Sequence, residues 1–368
     1  MPSFFSRVFS QSPCSTIQWR LSRILILALI GMCVAQAATQ AQDKKDTKKD
    51  KPSEEKTIYA VDGWPLKLTY YKSTEGKEAA VVVLLHPKNE SRMVWTAPNG
   101  FAEMLHKQGL AVIALDLRKH GQSKDRDGTS EEETKKSTST DKDKSSKKSS
   151  GGGDLKQADY LGMVADLEAV KKMIYEEHEN GNLNMRKTAI VAPGMSAAIA
   201  VAFTANDWAK KPYDDAATPA ARTPRGQDLQ ALVLLSPDSA VPGVVAHQVA
   251  SALKTVPVSS LVVVGKNDPL DKEQAKKLFQ QMGGDHAKTG AAKKTDAKKD
   301  KAKEKEADGK EEKQRHYFIS FEAKLRGTEL LGKKLGLEEA MANFLKENLQ
   351  ELKGPFYEWR DRKSRLAD

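Results

Sequence analysis

The chain has 368 residues, a formal net charge of +10 and two cysteines, Cys14 and Cys33, both within the first 41 residues. Beyond that segment there is no thiol, so thiol catalysis, cysteine-ligated metal and a disulfide framework are excluded there. All but one unit of the excess charge sits in residues 1–41, 42–56, 124–153 and 287–315, so no folded basic face, and no specific nucleic-acid partner, is implied.

Residues 1–41 resemble an export signal. Arg7, Arg20 and Arg23 form a basic start, 24–34 is an apolar run too short to span a bilayer comfortably, and Ala35-Gln36-Ala37 is an A-x-A cleavage site. The expectation is a periplasmic or secreted protein whose signal peptide is 1–37; an uncleaved N-terminal membrane anchor is the alternative. Residues 38–56 then read as a charged linker. The segments 124–153 and 287–315 alternate Lys with Asp, Glu, Ser, Thr or Ala, and lack aromatic residues almost entirely. Burial cannot offset their ordering entropy, so they are expected as disordered, low-complexity insertions in one domain, 57–352. Such loops cost little, because closure entropy grows only logarithmically.

Between these segments strands and helices alternate. The runs 57–61 and 66–71 flank Asp62-Gly63, a hairpin signal. A continuous apolar run at 79–85 reads as a buried central strand, followed by a helix near 100–108 and a strand at 111–115. In 158–177, Leu161, Val164, Leu167, Val170 and Ile174 recur at helical spacing. Strand 188–192, helix 197–205, strands 231–235 and 261–264, a helix near 272–281, strand 317–321 and helix 337–352 complete the series. This alternation predicts an α/β domain with a mostly parallel sheet covered by helices on both faces. Only a short helix, near 246–253, fits between 236 and 261, so no large cap domain is expected. The tail 353–368 interleaves Phe356, Tyr357 and Trp359 with charge.

Four motifs lie at strand ends. Asp116-Leu-Arg118-Lys119-His120-Gly121-Gln-Ser123 follows one strand. Leu85-His86-Pro87 follows another. Ala192-Pro193-Gly194-Met195-Ser196 forms a sharp strand-turn-helix. Val264-Gly265-Lys266-Asn267-Asp268 ends a third strand. In this order the motifs resemble those of the α/β-hydrolase superfamily, with a degenerate triad of the serine esterase or peptidase type. Lys119 and Pro87 stand where the family usually has glycine. The resemblance implies Asp268 as the triad acid, and backbone N–H groups of Lys88 and Met195 as an oxyanion hole. Asp116, Arg118, Ser123, His86 and His120 read as scaffold.

Two registers fit the elbow. In the first, Ser196 is the nucleophile of a G-x-S-x-A elbow, which places Pro193 inside a central strand. In the second, the strand is 188–192, Gly194 takes the nucleophile position, and Ser196 is the small residue two places on. Glycine accepts the positive φ of an elbow tip without steric cost, which favours this second register. The family's histidine would lie in 322–328, and that stretch reads Glu-Ala-Lys-Leu-Arg-Gly-Thr. His247 is the best substitute base. No phosphate-binding glycine loop and no pair of metal-spaced histidines is present, so no cofactor or metal is expected.

Two functions follow. One is an exported, non-catalytic or strongly impaired hydrolase homologue that binds a small molecule or peptide in the crevice at the C-terminal strand edge, with envelope association through its charged inserts. The other is an active serine hydrolase of ester or peptide bonds, using Ser196 and Asp268 with an unidentified histidine, for which His247 is the best substitute. A weaker reading makes the tail a partner surface.

Overall fold

The computed structural model describes residues 52–125, 155–285 and 314–364. The signal segment, both cysteines and nearly all of the two charged insertions lie outside the described residues.

A hairpin of β1 (Glu54–Tyr59) and β2 (Pro65–Tyr71) opens the sheet. β1 starts three residues inside the expected linker, with Glu54 paired to Tyr70. An edge strand needs only one backbone partner, so charged Glu54, Glu55 and Lys56 are accommodated there and composition hides the strand. There follow β3 (Val81–Leu84), a one-turn α1 (Met93–Thr96), α2 (Phe101–Lys107) and β4 (Ala111–Leu115). After these come α3 (Gln157–Glu179), β5 (Thr188–Pro193), α4 (Met195–Ala209) and β6 (Leu229–Leu235). A two-residue hairpin, β7 (Ala240–Val241) with β8 (Val244–Val245), leads into α5 (Ala246–Val249). The chain ends through β9 (Ser259–Gly265), α6 (Gln274–Gln281), β10 (His316–Phe321) and α7 (Leu337–Leu345), which continues as a π-turn over Lys346–Gln350.

Eight strands form one sheet in the order β1-β2-β4-β3-β5-β6-β9-β10. From β4 to β10 every pairing is parallel, and β2 joins β4 antiparallel. β3, β5, β6 and β9 are buried along their whole length, which explains their unbroken Val, Leu, Ile and Ala runs. Alternate residues feed two cores. Val81, Val83 and Ile190 pack with α3, α4 and α6 through Leu167, Ile199 and Phe279. Val82, Leu84 and Val191 pack with α2 and α7 through Leu105, Met341 and Phe344. Leu161 is 48% exposed, against expectation. The buried stripe of α3 runs instead through Tyr160, Met163, Leu167, Val170 and Ile174, a small rotation that helical spacing alone does not fix.

The tail is a strap rather than a free surface. The Trp359 Nε1–H donates to the carbonyl of His178, Asn184 donates to that of Tyr357 (2.8 Å), and Arg186 donates to that of Phe356. Arg362 makes a forked pair with Asp228 at 2.6 and 3.0 Å, both side chains being 3% exposed. Phe356 stacks on Trp208 and the Lys77 ammonium lies over Trp359. The tail aromatics thus pack on the domain, with Phe356 still 36% exposed.

Candidate functional site

Sheet order reverses between β3 and β5: β4 lies to one side of β3, while β5, β6 and β9 lie to the other. The loops leaving these strands meet at the resulting crevice, where open α/β sheets take ligands.

The elbow sits at this point. β5 ends at Pro193, and Gly194 adopts φ 56 and ψ −123 before α4 starts at Met195. This backbone conformation is strained for any residue with a Cβ. A Cβ at Gly194 would nonetheless find room, 3.5 Å from the Pro87 Cβ and 3.9 Å from Asp238 Oδ2. The elbow tip is therefore Gly194, two residues before Ser196. Ser196 lies in the first turn of α4, fully buried, and its hydroxyl donates to the Pro193 carbonyl at 2.8 Å. The hydroxyl is thus engaged by the last residue of β5 and is enclosed at the strand–helix junction.

Asp268 follows β9 at the position expected of the acid. Its Oδ1 accepts the Leu270 N–H (2.9 Å), and its Oδ2 receives the Arg326 guanidinium at 2.6 Å. The other arm of Arg326 binds Asp238 at 2.5 Å. Asp238 in turn donates its N–H to the Gly194 carbonyl at 3.1 Å. Arg326 thus bridges two carboxylates beside the elbow, in the 322–328 stretch where the family resemblance implies histidine. The loop carrying it is pinned. The Gly327 N–H donates to the Ser236 hydroxyl (2.9 Å), and Thr328 donates to Glu90 at 3.0 Å. Gly265 admits its passage, since a Cβ there would lie 2.3 Å from the Leu325 carbonyl oxygen. Burial pushes the Asp238 carboxyl upward, against the downward pull of Arg326, and burial also raises Glu90.

His247 is not part of this arrangement. It stands exposed on α5, and the carboxylate it would need from Asp268 is occupied by Arg326. His316 stands at the opposite end of the sheet, at the start of β10, bonded to the Ser260 hydroxyl at 2.9 Å. The two oxyanion candidates fare differently from the side chains. Among the described residues, neither the Lys88 nor the Met195 N–H has an acceptor, and Met195 is buried. The described residues contain no group of three or more His, Cys, Asp or Glu able to hold a metal.

The motif after β4 is scaffold. Asp116 accepts the N–H groups of Arg92 (2.7 Å) and Gln122 (2.8 Å) as well as the Arg92 guanidinium. Arg118 bridges Asp166 and Asp62 and lies against Gly162 of α3, where a Cβ would sit 2.3 Å from it. The Ser123 hydroxyl accepts the Lys67 N–H and donates to the Asp116 carbonyl. His86 accepts the Leu117 N–H at Nε2, so its Nδ1 carries the proton and donates to the Pro87 carbonyl. Its ring is 4.9 Å from that of His120, and burial followed by the neighbouring His120 pushes it down to about 4. Sequence reasoning overlooked Asp238, Arg326 and Glu90. The available signal was a lone arginine in the stretch searched for histidine.

At this site the chain presents two N–H groups without an acceptor among the described residues, a fixed guanidinium and partly buried carboxylates, with no hydroxyl at the elbow tip. A guanidinium cannot take up a proton, so it cannot act as a general base. No protein-family model matches the chain, and no curated protein matches it. Among solved structures the chain is similar to an esterase from Rhizomucor miehei (12% identity, 80% of this chain and 83% of that one, TM-score 0.50). It is also similar to an esterase from Pyrococcus furiosus (13%, 81% and 91%, 0.49) and a dienelactone hydrolase from Anabaena variabilis (14%, 81% and 97%, 0.46). The fold is that of the α/β-hydrolase superfamily.

Proposed function

We propose that this protein is an exported α/β-hydrolase homologue without hydrolytic turnover, which binds a small molecule or peptide in the crevice at the C-terminal edge of the sheet. The observation that carries the reading is the Asp238–Arg326–Asp268 bridge beside a glycine elbow tip. Acyl transfer by a serine enzyme needs a hydroxyl, a base to take its proton and an acid to orient that base. Here the first position has no side chain and the second carries a permanent cation. The retained Lys88 and Met195 N–H groups favour a ligand with a carbonyl or carboxylate oxygen. Envelope association through the charged inserts belongs to the same proposal, as does removal of residues 1–37.

Short p-nitrophenyl esters are expected to give no turnover above buffer with the full-length protein. In fragment screening by NMR, shifts induced by carboxylate fragments are expected to cluster at Lys88, Gly194, Met195 and Asp238. Ester turnover that disappears in Ser196→Ala would overturn the reading in favour of an active serine hydrolase. Sequencing the N-terminus of the protein recovered from its producing cell, with Ala38 expected first, tests export; an intact Met1 would contradict it.

A further inference from the structure

A second cavity lies at the other end of the strands, near the starts of β5 and β6, and its volume is about 590 Å³. Four separate chain segments turn cations into it: Lys171 and Lys172 from α3, Lys210 at the end of α4, Arg225 from the following loop, and Arg362 and Lys363 from the C-terminal strap. Glu168 is the one carboxylate in its lining. The strap adds Arg362 and Lys363 to four cations already gathered by α3, α4 and the loop before β6.

The cations are not equally engaged. Lys171 pairs with Asp207 and, at 2.7 Å, with Asp228; Arg362 pairs with Asp228 as well. Lys210 pairs with Glu168 at 2.7 Å and Lys363 with Glu179 at 3.9 Å. Six cations therefore meet four carboxylates, and among the described residues neither Lys172 nor Arg225 has an acidic partner. Arg225 lies instead over the Tyr213 ring, 5.1 Å from its centroid. The neighbouring Arg186 is pushed down to about 10, by burial first and then by the charges of Arg362 and Arg360. The excess of cations is local to Lys172 and Arg225, since at Tyr175 the charges of Glu179 and Asp361 outweigh that of Arg362. Tyr175 and Tyr213 line the same cavity and offer ring faces beside the charge.

We infer that this cavity is a binding site for a small phosphate monoester with a planar organic group, the dianion meeting Lys172 and Arg225 and the planar group lying against Tyr175 and Tyr213. A dianion matches the two unneutralised cations, and charge-assisted bonds from Arg and Lys are the strong ones for phosphate oxygens. The cavity is open to solvent, with Lys172 and Arg225 exposed at its mouth, so a small ligand can reach both cations directly. The site is at the opposite end of the sheet from Gly194, so it stands whether or not the crevice is catalytic.

Calorimetric titration of the full-length protein with phenyl phosphate tests this directly. Lys172→Ala/Arg225→Ala is the informative variant, because neither side chain holds a buried partner and the fold should survive; an unchanged melting profile checks that. One phenyl phosphate is expected per chain, with a dissociation constant below about 1 mM. The double variant and the singly charged analogue phenyl sulfate should each bind about tenfold more weakly. Equal affinity of wild type and double variant, or no binding heat at about 10 mM phenyl phosphate, overturns the inference.

Discussion

The guanidinium of Arg326 is the residue on which the crevice depends. Asp268 is 1% exposed and Asp238 35% exposed at their side chains, and both rely on it. Arg326→Ala leaves a buried carboxylate without a counter-charge, and a loss of about 3 kcal/mol is expected in urea unfolding. Gly194→Ser should fold, because the Cβ finds room, with a loss of about 1–3 kcal/mol for the positive φ. That variant alone should remain inert towards esters, since no base faces the new hydroxyl. Gly194→Ser/Arg326→His supplies hydroxyl, base and Asp268 together, and esterase activity above the single variant is the expected gain. Gly121→Ala is predicted to be severe. Its φ is +52 and a Cβ would fall 2.3 Å from the Asp116 carboxylate that organises the loop, which exceeds the strain cost alone of about 1–3 kcal/mol.

Buried histidines set the acid response. His86 and His316 are both pushed down to about 4, by burial first in each case, from an ordinary value of 6.5. The unfolded chain therefore binds protons at these positions before the folded one does. The stability they contribute is fully present above pH 6.5 and is lost as pH falls through about 4. His120 and His178 are lowered in the same sense. Urea midpoints should consequently fall between about pH 7.5 and pH 5; an unchanged midpoint would contradict the buried neutral state.

At the scale of elements, the strap decides whether the basal end of the sheet is closed. Arg362→Ala breaks a forked pair in which both partners are 3% exposed. It should cost about 3–5 kcal/mol, measurable as a lowered melting temperature. Deleting the strap from Phe356 onward should cost at least as much and expose His178 and Trp208. The strap was illegible in sequence because aromatic residues interleaved with charge carry neither a helical nor a strand period. β1 was partly hidden for a related reason: an edge strand bears no apolar signature at Glu54–Lys56. By contrast, β4 coincides with its expected span 111–115, because a strand buried on both faces must be continuously apolar. Gly194 takes the positive φ argued for it, but the strand expected at 188–192 extends to Pro193, which pairs with Leu235 instead of entering the turn. Pro193 closes the strand, and Gly194 is the residue type that takes a positive φ most cheaply. Arg326 could be placed by sequence in its loop, but its two partners come from other strand ends. Neither spacing nor composition connects residues 238, 268 and 326.

For the whole molecule, the two proposed sites lie at opposite ends of one sheet: the elbow crevice at the C-terminal edge, and the basic cavity, lined in part by the strap, at the other. The described domain holds its core without a disulfide, as the two cysteines at positions 14 and 33 require. Its charged segments 42–56, 124–153 and 287–315 contribute six units of the net +10, so, on the proposed tether, salt should alter envelope association far more than it alters stability. Equal retention on envelope fractions at low and high salt would remove the tether from the account.

The central claim is that the elbow carries no activated nucleophile. The most direct measurement is fluorophosphonate labelling of the folded full-length protein beside Ser196→Ala. The account predicts no labelling of either, because Gly194 has no side chain and Ser196 is buried against Pro193. Labelling of the wild type that vanishes in Ser196→Ala would contradict it and make Ser196 the nucleophile of a working hydrolase.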